Sequence, residues 1–276
     1  MGAWVMAGVT FREAARKKLL LMAVLAGVAF IALFSTGLHF QVKDLRSQHV
    51  PRLVTQEAER AFIMMGLYAV DIMAVVLTAL TSVDTLSGEI NSGTIQAVAT
   101  KPVSRRQILL GKWLGFVAML TIYVALMMGG ILGMAHWLSG IVPRNLVLGA
   151  SLIWIECVLI LNLTLFFGTA FSTLTNGVLV LGLHGLAFLG GWIEQIGATL
   201  HSPRTVTIGI LSSVVMPSES LWRRAAFEMQ SPLVGSLNIS PFSNASVPSK
   251  AMIAYAAIYM GLVMVFALRR FGRRDL

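Results

Sequence analysis

The chain alternates long apolar runs with shorter polar stretches. Each apolar run is close to the length, about 20 residues, that a helix needs to cross the hydrocarbon core of a membrane. The pattern therefore predicts an all-α polytopic membrane protein with six transmembrane helices in a single transmembrane domain, residues 1–276. The six runs are residues 19–40, 61–83, 109–136, 147–171, 177–197 and 250–268, with boundaries that are approximate.

The polar stretch between the second and third runs predicts a short helix, a turn and a helix start. Ile95 and Val98 are three residues apart and so share one helix face. Pro102 disfavours helical geometry at the residue before it, which predicts a turn. Ser104 opens a Ser-x-x-Gln capping box for the helix that enters the membrane. The pattern fits two interpretations: an ordinary solvated loop, or a short helix that docks in a groove of a soluble partner.

The first 18 residues precede the first apolar run. Thr10 and Glu13 form a second candidate capping box, so the segment 1–18 predicts an amphipathic helix on the membrane surface. The three consecutive cations at 16–18 also resemble the start of a signal peptide. The apolar run that follows is too long for one, and a retained first span is favoured.

The segment 198–249 predicts neither a span nor a soluble domain. It contains a short apolar helix, a break at Pro217 and an amphipathic helix for which Ser218 is the candidate N-cap. Trp222 would face lipid or protein while the two arginines at 223–224 snorkel outward. These features favour external and re-entrant helices, a hairpin that dips into the outer leaflet and is buried against protein.

Composition and charge exclude several classes of protein. Apolar residues make up 57% of the chain and charged residues 12%, about half the charged share of a soluble domain. A net charge of +9 would suggest nucleic acid for a soluble protein. Here the cations lie at span ends, with the higher density on the side of both termini, which predicts cytoplasmic termini and contact with anionic lipid rather than nucleic acid. The single cysteine excludes an internal disulfide and a multi-cysteine metal site.

Three polar residues inside the predicted spans are candidates for a functional site. Asp71 lies near the middle of the second span, Glu156 inside the fourth and His184 inside the fifth. Acidic residues at that depth usually face an interior or a wet cavity, so Asp71 and Glu156 are candidates for a substrate path or a proton or cation contact. The alternative is local pairing, with Asn162 or Thr164 for Glu156. For His184 a hydrogen-bonded packing role is favoured.

Glycine pairs at i, i+4 spacing, such as Gly111 with Gly115 and Gly129 with Gly133, predict close helix packing. Either packing within the six-helix unit or a dimer seam would use them.

The polar stretch also carries a family resemblance. Its ordered set Glu89, Gly93-Thr94, Pro102-Val103-Ser104-Arg105 and Gly111-Lys112 resembles the signature of ABC-2-type transporter permeases. It is similar to the branch containing the permease of the nitrous-oxide-reductase maturation system. The motif around Pro217, Trp222 and Arg223 resembles a Pro-centred motif that this family carries before its last span. By resemblance, residues 84–108 hold the coupling helix that docks on an ATPase subunit, with contributions from Glu89, Gly93, Thr94, Ile95, Val98, Pro102 and Arg105.

The resemblance implies a type V exporter-like fold with an N-terminal elbow helix, a coupling helix and re-entrant helices before span six. It further implies the permease subunit of an ATP-driven exporter in the bacterial inner membrane, paired with a second copy or a homologue and with two ATPase subunits. Those subunits would bind ATP and Mg, since the sequence has no phosphate loop, no His-Glu-x-x-His and no Gly-x-Ser-x-Gly. The alternative is a secondary transporter or channel that works without nucleotide. An intramembrane enzyme is disfavoured.

Overall fold

The computed structural model describes residues 2–16, 18–48, 51–91, 104–231 and 246–273. Within these residues the chain forms helices and no strand, which confirms the predicted all-α class. The helices are α1 (Gly2–Arg16), α2 (Lys18–Ser47), α3 (Arg52–Ser82), α4 (Asp84–Asn91), α5 (Arg105–Ser139), α6 (Leu146–Gly168), α7 (Thr173–Thr199), α8 (Pro203–Val215), α9 (Ser218–Met229) and α10 (Lys250–Arg273).

Six helices are long and apolar enough to cross a membrane, as predicted: α2, α3 with α4, α5, α6, α7 and α10. Successive spans alternate in direction, so α1, α4 and the last turns of α10 lie at one end of the bundle. There, Arg106 Nε of α5 is 3.9 Å from the position that a Cβ on Gly272 would occupy. We call this the terminal end and the other the opposite end.

The second span continues past the predicted boundary at residue 83. Val83 donates its N–H to the Ala79 carbonyl at 3.0 Å, so α3 and α4 follow one another with a single turn residue between them. Together they cover 39 residues from Arg52 to Ile90. At 1.5 Å per residue this is about 58 Å, well beyond the roughly 30 Å hydrocarbon core. The α4 helix therefore extends the second span beyond the terminal end of the membrane.

The predicted start of the third span is confirmed in detail. Ser104 Oγ accepts the Gln107 N–H at 3.4 Å, and the Gln107 side chain accepts the Ser104 N–H at 3.0 Å. This reciprocal capping box satisfies two backbone donors at the start of α5. The helix ends at Gly140, whose φ of 73° is left-handed and whose N–H bonds to the His136 carbonyl.

The N-terminal helix differs from its prediction. No capping box forms at Thr10, because α1 begins at Gly2 and Thr10 is buried in its middle. A Cβ on Gly111 would lie 2.7 Å from the Ala3 carbonyl oxygen, and one on Gly115 would lie 2.8 Å from that of Ala7. Residue numbers rise together along the two helices at these contacts. The α1 helix therefore packs lengthwise against the first turns of α5 and runs in the same direction. The expected surface elbow is not confirmed.

Glycines within the spans differ in whether another helix packs beside them. Gly129 and Gly133 of α5, and Gly182 and Gly185 of α7, have no neighbouring atom within 4 Å of an added Cβ. The pair Gly111 and Gly115 thus packs within the unit, whereas these four face outward.

Between α7 and α10, helices α8 and α9 form a hairpin that enters the bundle from the opposite end. Antiparallel packing of α8 on α7 brings Thr205 to Gly197 and Ser212 to Gly190. At 13 residues, α8 is about 20 Å long, too short to cross the membrane. The chain reverses at Pro217, level with the middle of α7, and α9 returns toward the opposite end.

Candidate functional site

The terminal end of the bundle joins the second and third spans through one buried lysine. The Lys112 ammonium group of α5, only 3% exposed, pairs with Glu89 Oε1 and donates to the Thr85 carbonyl at 3.3 Å. Both partners belong to α4. A lysine at this burial is stabilised only when its charge is paired and its donors are used. The pair therefore fixes the end of α4 to the start of α5, on either side of residues 92–103.

The α4 helix is also tied to the connection between α6 and α7. Ser87 Oγ lies 2.9 Å from Thr173 Oγ1, which donates to Asp84 Oδ1 at 3.2 Å. Asn176 Nδ2 donates to the Val83 carbonyl at 3.2 Å and to a carbonyl of α6 at 3.0 Å. Four spans, the second to the fifth, thus meet at α4. A displacement of this helix would change its contacts with each of them.

A second polar site lies in the interior of the bundle. Asp71, Glu156 and His184 each occupy the middle of their helix, and the fold brings them together. The carboxyl groups of Asp71 and Glu156 lie close enough to interact with each other. His184 Nδ1 is 3.9 Å from Glu156 Oε1 and 3.0 Å from Ser218 Oγ of the hairpin.

The two carboxyl groups are deeply buried and poorly satisfied. Glu156 is 0% and Asp71 3% exposed, and no N–H or O–H of a described residue bonds to either oxygen of Glu156 or to Oδ1 of Asp71. A carboxylate at a helix centre costs roughly 2.5–3.5 kcal/mol on insertion scales. Asn162 and Thr164, the expected alternative partners, bond elsewhere: Asn162 to Trp113 and the Met260 carbonyl, Thr164 to the Ile160 carbonyl. The alternative of local pairing for Glu156 is therefore contradicted.

The hairpin supplies a third interior carboxyl. Glu219, in the first turn of α9, is 6% exposed and packs on Gly191, where an added Cβ would lie 2.5 Å from its Cγ. Its carboxyl group lies close enough to interact electrostatically with those of Asp71 and Glu156. Three helices and the hairpin tip therefore contribute to one acidic site.

Nearer the opposite end, the hairpin is held by a buried ion pair. Arg223 donates two hydrogen bonds of 2.8 Å to the two oxygens of Glu194 and a third of 2.6 Å to the Ser246 carbonyl. The expectation that Arg223 and Arg224 snorkel outward is wrong, because Arg224 also turns back, to Glu228 and the Pro248 carbonyl. Planar bidentate geometry suits arginine and carboxylate, and it fixes α9 to α7 and to the chain just before α10.

The other residues of the external motif lie inside the same hairpin. Pro217 precedes α9, and Ser218 begins the helix without capping it, since its hydroxyl bonds to His184 instead. The buried Trp222 ring packs against Tyr68 of α3 with centroids 4.9 Å apart. The motif thus contacts the second and fifth spans rather than solvent.

Comparison with protein families agrees with this architecture. A family model described as "ABC-2 family transporter protein" matches residues 4–276. The chain belongs to the ABC-2 transporter family. A search of curated proteins found no match.

Membership accounts for the coarse features of the chain. It is a multi-pass membrane protein and an ABC-2 transporter permease, and such membrane subunits generally work with an ABC ATPase and are not enzymes themselves. The likeness to the nitrous-oxide-reductase maturation branch stays a prediction.

The ABC-2 signature is only partly within the described residues. Glu89 and Arg105 flank the gap, with Glu89 paired to Lys112 and Arg105 as the first residue of α5. A surface pair was the alternative for Glu89, yet its partner is buried. The other predicted coupling residues lie outside the described residues: Gly93, Thr94, Ile95, Val98 and Pro102.

Sequence analysis singled out neither Glu194 nor Glu219, and it included Lys112 only as part of the family signature. The available signal was weak: Glu194 and Arg223 are 29 residues apart, and only the hairpin brings them together. An Arg in one apolar segment and a Glu in another favour such a pair, because a charge at that depth needs a partner.

The pKa of one hairpin carboxyl outside the spans, that of Glu228, is shifted by its neighbours. Partial burial alone would raise the pKa of Glu228, but hydrogen bonds from Asn145 and Arg224 lower that pKa below its ordinary value. Asn145 donates at 2.9 Å and so ties the start of α6 to the end of α9.

Proposed function

We propose that this chain is the membrane-spanning permease subunit of an ATP-driven exporter, with ATP and Mg bound by a separate ATPase subunit. In this proposal two ATPase subunits dock at the terminal end, which faces the bacterial cytoplasm, and a second copy of the chain or a homologue completes the transporter. The observation that carries the proposal is the link between Glu89 and Lys112, which joins two spans on either side of the predicted coupling residues.

The link explains how a force at the coupling segment would reach the membrane. The α4 helix continues the second span, and Lys112 fixes it to the third. The hydrogen bonds of Thr173 and Asn176 add the fourth and fifth. Since these contacts join the second to fifth spans at this end, we expect a displacement of α4 to be transmitted to them.

The outer faces of the bundle suit lipid and a second permease. Gly129, Gly133, Gly182 and Gly185 have open space beside them. Small residues of this kind let helices of two subunits approach closely in a membrane. The homodimer and the heterodimer use this surface equally well.

The deciding experiment co-expresses the chain with a candidate ABC ATPase and measures co-purification and ATP turnover in lipid nanodiscs. Lys112→Met and the double variant Glu89→Ala, Arg105→Ala remove the link. We expect the turnover stimulated by the permease to fall about 5-fold or more, the lower end of ordinary allosteric coupling. Arg224→Met, which breaks an ion pair at the opposite end, is the control and should leave turnover unchanged.

Two outcomes would overturn the proposal. Link variants with wild-type turnover would show that α4 does not transmit the ATPase cycle. A chain that purifies alone, recruits no ATPase and still moves a solute would be a secondary transporter, the alternative that the sequence left open.

A further inference from the structure

The interior carboxyl pair has a property that the proposed export cycle does not use. Asp71 and Glu156 meet from α3 and α6, nearly without exposure to solvent. Ionised carboxylates are acceptors only, so two of them in contact have no hydrogen between them. Two neighbouring carboxyl groups can form a hydrogen bond with each other only when one of them carries a proton.

The two buried Lys and Arg side chains among the described residues are both paired with other carboxylates. Arg223 donates a bidentate pair of hydrogen bonds to Glu194, and Lys112 pairs with Glu89 at the terminal end. Among the described residues no cluster of three His, Cys, Asp or Glu side chains could hold a metal ion. Around the pair, the described titratable or charged groups are Tyr68 of α3, Cys157 of α6 with Tyr123 of α5 beside it, His184 of α7, and Glu219 and Arg223 of α9.

The unsatisfied oxygens give a second, independent sign of a ligand. Both oxygens of Glu156 and Oδ1 of Asp71 are buried, and no N–H or O–H of a described residue bonds to them. A buried acceptor without a donor is rare in folded proteins and calls for an ion, a water or a proton. In so closed a space, next to a like charge, the proton is the occupant that also removes the repulsion.

We propose that Asp71 and Glu156 form a proton-binding site at the centre of the membrane domain, sharing one proton while the hairpin tip is seated. The proton comes from water and returns to water, so no other reactant is needed. Glu219 and the bond between Ser218 and His184 place the hairpin tip over the pair. Withdrawal of the tip admits water, lets the second carboxyl ionise and releases the proton.

Infrared spectroscopy of the purified full-length chain in nanodiscs tests the site without any ATPase. A protonated carboxylic acid has a carbonyl stretch that an ionised carboxylate lacks, and the stretch shifts when the proton is exchanged for deuterium. We expect this band at neutral pH in wild type. It should shift in Asp71→Asn and in Glu156→Gln and be lost in the double variant. Glu194→Gln is the matched control, since that carboxylate is paired with Arg223, and should leave the band in place.

Both replacements are isosteric and neutral, so they mimic the protonated state and the double variant should fold. Wild type alone also decides the matter if a variant fails to fold. Absence of a protonated-carboxyl band at neutral pH in wild type, or its persistence unchanged in a folded double variant, would overturn the site. Because the measurement needs no nucleotide and no partner, its failure is separate from failure of the proposed ATPase coupling.

Discussion

Replacement of Arg223 by Met should be among the most damaging single changes in the membrane domain. The guanidinium makes three charge-assisted hydrogen bonds, two to Glu194 and one to the Ser246 carbonyl. Both side chains of the ion pair are almost fully buried, at 4% and 6% exposure. Removing one partner of such a pair leaves an uncompensated buried charge.

The expected loss of unfolding free energy is about 3–5 kcal/mol, the range for breaking a buried ion pair from one side. Arg223→Lys should lose less, since it keeps the charge but cannot bond to both carboxylate oxygens. Arg223→Met combined with Glu194→Gln should recover part of the loss, because no buried charge remains. Van der Waals volume changes little in any of these variants.

Reversible unfolding in detergent micelles, followed by circular dichroism across a denaturant series, measures these differences. Arg60→Met is the control. Its side chain is 38% exposed and its Nε is 3.8 Å from Glu57 Oε1, so its loss should cost under about 1 kcal/mol. If Arg223→Met costs no more than Arg60→Met, or if the double variant is worse than both singles together, the buried pair is not what holds the hairpin.

Two further predictions concern other contacts. Gly111→Ala should lower the free energy of unfolding by about 1–3 kcal/mol, because the added Cβ would meet the Ala3 carbonyl oxygen at 2.7 Å. The control Gly133→Ala, on the open face, should be neutral or stabilising. Equal melting temperatures for the two variants would contradict the packing of α1 on α5. Since the folded-state pKa of Glu228 is lowered, its contribution to stability is present above the ordinary value of 4.5 and lost as pH falls through the lowered value. The difference in melting temperature between wild type and Glu228→Gln should therefore shrink on acidification, and a constant gap would argue against the ties to Asn145 and Arg224.

The features that sequence alone predicted are those set by local signals. Six apolar runs gave six spans, because the bilayer demands a fixed length of apolar helix regardless of tertiary packing. The capping box at Ser104 needed only four consecutive residues, and it formed as predicted. The box at Thr10 failed for the opposite reason. Packing against Gly111 and Gly115 stabilises a helix that already begins at Gly2, so the local cap was overridden.

Sequence alone identified several residues of the interior site but not that they meet. Asp71, Glu156 and His184 were singled out by depth alone, since polar residues at a span centre have few harmless explanations. That they meet depends on the rotation of three helices, which periodicity in an almost wholly apolar span does not reveal. Glu219 and Glu194 could not be placed at all, because the depth of the hairpin follows from its packing on α7 rather than from its composition.

The two sites share one structural element. Asp71 and Glu89 lie on the continuous path of α3 and α4, 18 residues or about 27 Å apart along the helix. Glu156 lies on α6, a separate span that packs directly against both α3 and α4. A rotation of the second span that leaves α6 in place therefore separates the carboxyl pair, while a motion of both spans together preserves it. The spectroscopic state of the pair consequently reports which of these motions accompanies a displacement at Glu89.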